Sequence, residues 1–152
     1  MTIKAFTVHQ PYAQLLAIGA KQYETRPVPT KYRGKIAIHA GKSYDSMNTI
    51  FTETEWAGET WHKRHDAIIL AFNQAGVYQR LAYGAIIGYA DLVGRYPVED
   101  IKNLAGTERL FGDWSAGRYA WEIANAHMIT PLPYKGQLGL WNLKPEMIGG
   151  DS

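Results

Sequence analysis

The 152-residue sequence predicts an α+β fold: a small mixed β-barrel with helices inserted between its strands. Three observations carry that expectation. Apolar, β-prone runs recur at 3–8, 35–40, 85–93, 118–126 and 137–143. Helical patterns fall between them without the regular strand–helix alternation of a doubly wound sheet. The length and a hydrophobic content of 46% suit one domain that buries about two-thirds of its unfolded surface. One domain is expected over 1–145, with a flexible, polar, Gly-rich tail at 146–152.

The elements follow in order. Residues 3–8 are the first strand. Pro11 suits the first turn of a helix, Ala13, Leu15, Leu16 and Ile18 give it an apolar surface, and Gly19 stops it as the C′ residue. Pro27-Val-Pro29 breaks regular structure. Residues 35–40 alternate, Ile36 and Ile38 on one face and Ala37 and His39 on the other. Ser43 is placed to cap a helix over 44–56 with Met47, Ile50 and Phe51 inward. Trp61, His65, Ile68, Ile69 and Phe72 then share one helical face. After the strand at 85–93, Pro97 opens a short helix to about 104. Tyr119, Trp121 and Ile123 face one way along 118–126, and 137–143 is the last strand.

Composition excludes several chemistries. The sequence contains no cysteine, so disulfides, zinc–thiolate sites and cysteine nucleophiles are ruled out. That usage fits a reducing cytosol, and a cytoplasmic location is expected. The start lacks the apolar core of a targeting segment, and no run approaches the roughly 18 apolar residues of a membrane span. Gly84-Ala-Ile-Ile-Gly88 matches a GxxxG pattern but reads as strand. His62 and His65 lie three apart on a helix, yet no acidic or cysteine partner completes a pattern such as HExxH, so no metal site is expected. Ser115, in Trp-Ser-Ala-Gly, is not a nucleophile elbow. No Gly-rich phosphate loop precedes a helix, and no cofactor is expected.

Charge is more informative by position than by sum. The net charge is +2, but residues 21–44 hold Lys21, Arg26, Lys31, Arg33, Lys35 and Lys42 against Glu24 alone. That segment carries +5, leaving −3 elsewhere, and points to an anionic partner or to a solvated basic hairpin. Lys31, Arg33 and Lys35 flank Tyr32, and Lys42 precedes Ser43 and Tyr44. Cations interleaved with rings suit single-stranded nucleic acid, the charges tracking phosphates and the rings stacking on bases. The alternative is a hairpin whose Tyr32 packs on the body of the fold. Trp114, in a loop between Asp113 and Ser115, is the ring expected to be exposed to a ligand. His39 either faces the same cleft or caps its strand.

Gly19-Ala-Lys21-Gln-Tyr-Glu24-Thr-Arg26 follows the first helix. Extended, it puts Glu24 and Arg26 on one face and Thr25 on the other, and the Gly19 turn can fold Lys21 back towards them. Such a triplet neutralises a phosphate, holds a base edge, or is a structural ion-pair cluster. Glu24 is expected ionised and paired with Lys21 or Arg26, and a nearby anion is expected to keep the Lys21 amine protonated.

The same eight residues match GxKxxExR, and the chain here resembles the ASCH family (activating signal cointegrator homology), whose fold is PUA-like. The resemblance extends from His9-Gln-Pro-Tyr12 through Tyr32-Arg-Gly34, Ile36-Ala-Ile-His-Ala40 and Gly84-Ala-Ile-Ile-Gly88. It ends at Tyr119-Ala-Trp121-Glu and Gly136-Gln-Leu-Gly-Leu-Trp141, in family order over 3–143. It implies a β-barrel with a cleft on one side, lined by Lys21, Glu24 and Arg26. The family is associated with RNA and other nucleic-acid ligands. One branch acts as an amidohydrolase on acylated cytidine nucleosides, and ribonuclease activity is attributed to another. The amidohydrolase branch resembles Gly-x-Lys-x-x-Thr, with threonine as nucleophile, and Glu24 stands at that position here.

Three readings follow. The first is a binder of RNA, or of another single-stranded or modified nucleic acid, through Lys21, Glu24, Arg26, Tyr32, Arg33, His39, Lys42 and Trp114. The second is a small hydrolase, on a modified nucleoside or on RNA, with Lys21 and Glu24 as acid–base groups. The third is a protein-interaction domain that holds an acidic peptide on the same face.

Overall fold

A computed structural model of the chain describes residues 3–42, 58–77 and 81–144. The described elements are β1 (Ile3–Val8), α1 (Tyr12–Ala17), β2 (Tyr23–Arg26), β3 (Gly34–Ala40), α2 (Gly58–Ala75), β4 (Ala85–Pro97), a 3-10 turn (Val98–Asp100), α3 (Gly106–Leu110), β5 (Tyr119–Pro133) and β6 (Leu140–Leu143). The fold is α+β. The strands form one open sheet in the order β2-β5-β4-β3-β1-β6, where a closed barrel is expected from the sequence. Its two edges, β2 and β6, are four residues each. β1 and β3 run parallel, and the other neighbours are antiparallel.

The sheet curls although it does not close. Phe6 of β1 and Trp121 of β5, three strands apart in the sheet order, meet with ring centroids 6.5 Å apart. They belong to a core that also takes Ile36 and Ile38 of β3, Leu92 of β4, and Ala13, Leu16 and Ala17 of α1. The opposite face buries Ile3, Ala5, Ala37, Ile86, Tyr89, Trp141 and Leu143. Strand alternation therefore sorts β3 as the sequence predicts, and β1 likewise divides Phe6 and Val8 from Ile3 and Ala5, with both faces covered. A third cluster of Leu15, Ile68, Phe72 and Phe111 joins α1 to α2 and the end of α3.

α1 starts after Pro11, which stands at the N-cap, and Gln10 supplies the capping contact by accepting from the Gln14 amide at 2.9 Å. Gly19 adopts φ +80°, the left-handed conformation expected of a C′ glycine. The Lys21 amide then bonds back to Leu15 O at 3.0 Å, returning the chain across the end of α1.

Several boundaries differ from expectation because long ladders outrun the apolar runs. β4 continues to Pro97 and β5 to Pro133, paired with one another along nearly their whole length. Pro97 therefore ends a strand, and the helix expected to about 104 is only the turn at Val98–Asp100. α3 and β2 as a paired strand have no counterpart among the predicted elements. β6 spans 140–143 of the expected 137–143. On α2, Ile68 and Phe72 are buried and His65 half-buried, but Ile69 is 38% exposed, because the packed face is narrower than the apolar spacing. The helix expected over 44–56 and the tail at 146–152 lie outside the described residues, as does the side chain of Trp61. Among the described residues no helix is long and apolar enough to cross a membrane.

β4 changes phase at Gly88. Ala85 and Ile87 face the first core, then Ala90 and Leu92 do, so one extra residue is absorbed between them. A Cβ at Gly88 would stand 2.5 Å from His127 O and 3.2 Å from Ala17 Cβ. Gly88→Ala is expected to cost about 1–3 kcal/mol through overpacking, read as a lower urea midpoint at unchanged m-value.

His39 ties the sheet to the segment between β5 and β6. Its Nε2 lies 2.6 Å from Tyr134 O, and a carbonyl only accepts, so this nitrogen carries the proton. Nδ1, 3.1 Å from Thr7 Oγ1, is then the acceptor in the neutral ring. Burial pushes the imidazole below its usual 6.5, and Lys42 acts in the same direction, opposed by the bond to Tyr134 O. In the window just below pH 6.5 the unfolded chain therefore binds a proton that the folded chain does not, so stability falls as pH falls. Thermal melts from about pH 7.5 down to about pH 5 should show that loss, with a shallower slope in His39→Gln. An equal slope in the two proteins would contradict it.

Candidate functional site

The curl leaves a cleft of about 1080 Å³ between the ends of β1 and β3 on one side and β2 on the other. Its wall takes residues 7–9, 24–26, 39, 41–42, 111–114, 118 and 135–139, with Tyr12 and Arg64.

Arg26 spans the opening. Its Nη2 donates to Thr7 O at 2.8 Å, joining edge strand β2 to β1, and its Nε donates to Glu24 Oε2 at 2.9 Å. The guanidinium lies 5.5 Å from the Phe6 ring centre and 5.7 Å from that of Trp121. The two-residue spacing of Glu24 and Arg26 puts both on one face of β2, as predicted, and it is Arg26 that pairs with Glu24.

Lys21 lies deeper. It is 2% exposed, is not part of the cleft wall, and donates to Phe111 O at 2.6 Å. Its ammonium lies 6.0 Å from the centre of the Tyr12 ring. Burial depresses the amine below its usual range and outweighs the opposing influence of Glu24 and Glu108. The expectation from sequence accounts only for the neighbouring anion and so has the direction reversed. Glu108 of α3 is the other buried charge here. One oxygen accepts from the Gln22 amide, and Oε2 has no hydrogen-bond partner among the described residues. Burial raises its carboxyl, against the bonds from Gln22 and Tyr23 and the charge of Lys21.

Thr25 also departs from expectation. Alternation turns it away from Glu24, yet the segment 111–114 covers that side of β2, so Thr25 borders the cleft as well. Gly112 is the meeting point: a Cβ there would lie 3.1 Å from Lys21 Nζ, 3.3 Å from Trp114 Nε1 and 3.6 Å from Thr25 Oγ1. Trp114 lines the cleft but is half-buried, its indole donating to Glu108 O at 3.0 Å and its ring edge-on to Tyr23 at 5.7 Å.

His39 and Lys42 border the cleft, His39 buried and Lys42 exposed. Tyr32 and Arg33 do not. Tyr32 packs against the first core and donates to Lys35 O, while Arg33 donates to Thr30 O and Tyr32 O. Lys31 is exposed but also outside the wall, and the Lys35 ammonium sits 5.1 Å from the centre of the Tyr89 ring. His62 and His65 lie on α2, outside the wall.

The cations that replace the 31–35 segment have no signature in the sequence. Arg64 donates from Nε to Leu110 O at 2.8 Å. Arg118 donates to Thr25 O at 2.9 Å and lies 3.7 Å from Asp113. Lys135 is exposed at the far side. Each comes from a different element, so no linear run announces them.

The family model described as the ASCH domain matches residues 6–133. No curated protein is significantly similar to the chain. Among solved structures, the fold is similar to that of an ASCH protein from Zymomonas mobilis. A tyrosine-to-phenylalanine mutant of that protein superposes with a TM-score of 0.52 at 13% identity, covering 97% of this chain and 94% of that one. The protein without a stated substitution gives 0.51 at 12%, covering 96% and 90%. A serine-to-alanine mutant gives 0.53 at 13%, covering 96% and 91%. The identities are low enough that these structures speak to the fold alone, whereas the sequence model spans most of the chain: this protein belongs to the ASCH domain family.

Proposed function

We propose that the cleft binds RNA or another single-stranded or modified nucleic acid, on a PUA-like domain spanning 1–145 in a cytoplasmic protein. One observation carries the reading. The wall gathers Arg26, Lys42, Arg64, Arg118 and Lys135 against the carboxylates of Glu24 and Asp113. Five cations around a concavity of this size focus a positive potential and favour a polyanion. Tyr12 and Trp114 add ring surface to the same wall. The ASCH membership agrees with this reading.

A second reading, a small hydrolase, draws on a different observation. The buried Lys21 amine, depressed in pKa, shares the Gly112 corner with the Thr25 hydroxyl. A lysine beside a hydroxyl has the makings of a base–nucleophile pair, and Glu108 Oε2 has no hydrogen-bond partner among the described residues. Glu24, engaged by Arg26, suits that role less well than the sequence suggests.

Two measurements separate these readings. Single-stranded RNA is expected to bind with a slope of log K against log salt near −2 if about three phosphates are contacted, at roughly 0.7 per phosphate. Lys31→Glu, outside the wall, should leave that slope unchanged, and Arg26→Gln should cost about tenfold or more in affinity. Absence of binding at low salt would end the first reading. The second is checked by incubating the protein with N4-acetylcytidine and following free cytidine by chromatography. No turnover is expected from a binder, whereas release lost in both Lys21→Ala and Thr25→Val would move the chain to the enzyme class.

A further inference from the structure

The charges of the cleft wall are segregated. At its centre Glu24 and Arg26 neutralise one another, and Arg26 is further held by Thr7 O and two aromatic faces. At one end stand Lys42 and Lys135. The Lys42 stem lies against Gly84, where an added Cβ would come within 3.0 Å of it, and Gly84 O accepts from the Tyr134 amide at 3.0 Å, one residue before Lys135. Lys42 and Lys135 therefore come from neighbouring segments of the wall, and neither makes an ion pair among the described residues. At the other end stand Arg64 and Arg118, anchored on Leu110 O and Thr25 O, with only Asp113 to offset them among the wall residues. Among the described residues the Arg64 guanidinium donates through Nε alone.

Two cationic ends flanking a self-neutralised centre do not match a neutral nucleoside, which would leave both ends uncompensated. They match a ligand charged on both sides of an uncharged, hydrogen-bonding middle. Resting on the nucleic-acid reading above, we infer that the cleft takes one internal nucleotide of a strand, with one flanking phosphate at the Lys42–Lys135 end, the other at the Arg64–Arg118 end, and the nucleoside across Glu24 and Arg26. The middle is equipped for this. Among the described residues, Arg26 hydrogen-bonds through Nε and Nη2 and Glu24 through Oε2, which leaves Arg26 Nη1 as a donor and Glu24 Oε1 as an acceptor for a base or sugar edge. Thr7 links the centre to the 135–139 side of the wall, its carbonyl accepting from Arg26 and its hydroxyl lying 3.1 Å from His39 Nδ1 and 3.3 Å from Gln137 O.

The test is calorimetric titration at low salt with cytidine and adenosine, their 5′-monophosphates and their 3′,5′-bisphosphates, beside a single-stranded RNA of about 12 nucleotides, long enough to span the cleft. Each added phosphate is expected to tighten binding about tenfold, ~1.4 kcal/mol. Lys42→Gln combined with Lys135→Gln should abolish one increment and Arg64→Gln the other. Arg64→Lys should retain its increment, which separates loss of charge from loss of the Leu110 contact. A bisphosphate no tighter than the monophosphates, or both sets of variants removing the same increment, would overturn the inference. If the RNA strand binds while the second increment is missing, this inference fails and the nucleic-acid reading stands. If neither the strand nor any nucleotide binds, both fall.

Discussion

A single guanidinium sets the geometry on which the cleft depends. The sheet curls far enough to bring Phe6 against Trp121 but does not close. Across the cleft, Arg26 of edge strand β2 reaches Thr7 O of β1. A side chain holds the two walls apart at its own length, whereas a ladder would draw strands to roughly 5 Å and leave no room for a ligand. Placing a cation over two aromatic rings desolvates it, and Glu24 supplies the compensating charge from the same strand face. The E-x-R spacing is thus a structural requirement of the opening as well as a source of polar atoms within it.

Behind that clamp lies a second charged layer with a different balance. Lys21 and Glu108 feel one another's charge across the end of α1, and for each of them burial outweighs the neighbour's influence. Both are used structurally. Lys21 holds the carbonyl at the end of α3, and Glu108 receives the amide that leads into β2. Their backbone bonds fasten the 106–114 segment to edge strand β2, which otherwise pairs only with β5. That fastening also carries Trp114 and Asp113 into the wall. The same layer supports the second functional reading, because a depressed amine beside a hydroxyl is a chemical resource as well as a strut.

The outer rim follows a third logic. Its cations sit at the ends of elements, in the loops between them or on a helix surface, where the charged heads meet water and the stems lie along the fold. Lys42 follows β3, Arg118 precedes β5, Lys135 follows β5, and Arg64 stands on α2. The sheet supplies fixed positions and the rim supplies charge. Among the cations of the wall, Arg26 is bound on both sides while Lys42 and Lys135 make no ion pair among the described residues, so the uncompensated charge among them lies on the rim.

The sequence by itself determined what local rules govern. Period-two alternation sorted Ile36 and Ile38 from Ala37 and His39, Gly19 ended α1 in the left-handed conformation, and Glu24 and Arg26 fell on one strand face. The ordered motif blocks pointed to the family. Tertiary structure decided the rest, because it rests on pairs far apart in the chain. The extension of β4 and β5 comes from their mutual ladder, which the apolar runs do not mark. Tyr32 and Arg33 resemble ligand groups because they are basic and aromatic in a row, but their hydrogen bonds serve their own turn. An anion beside Lys21 argues for a protonated amine, and only the packing of α1, α3 and β2 around it reveals that desolvation dominates. Arg64, Arg118 and Lys135 carry no mark in the sequence, since what makes them one rim is the curl of a sheet that brings three separate segments to the same opening.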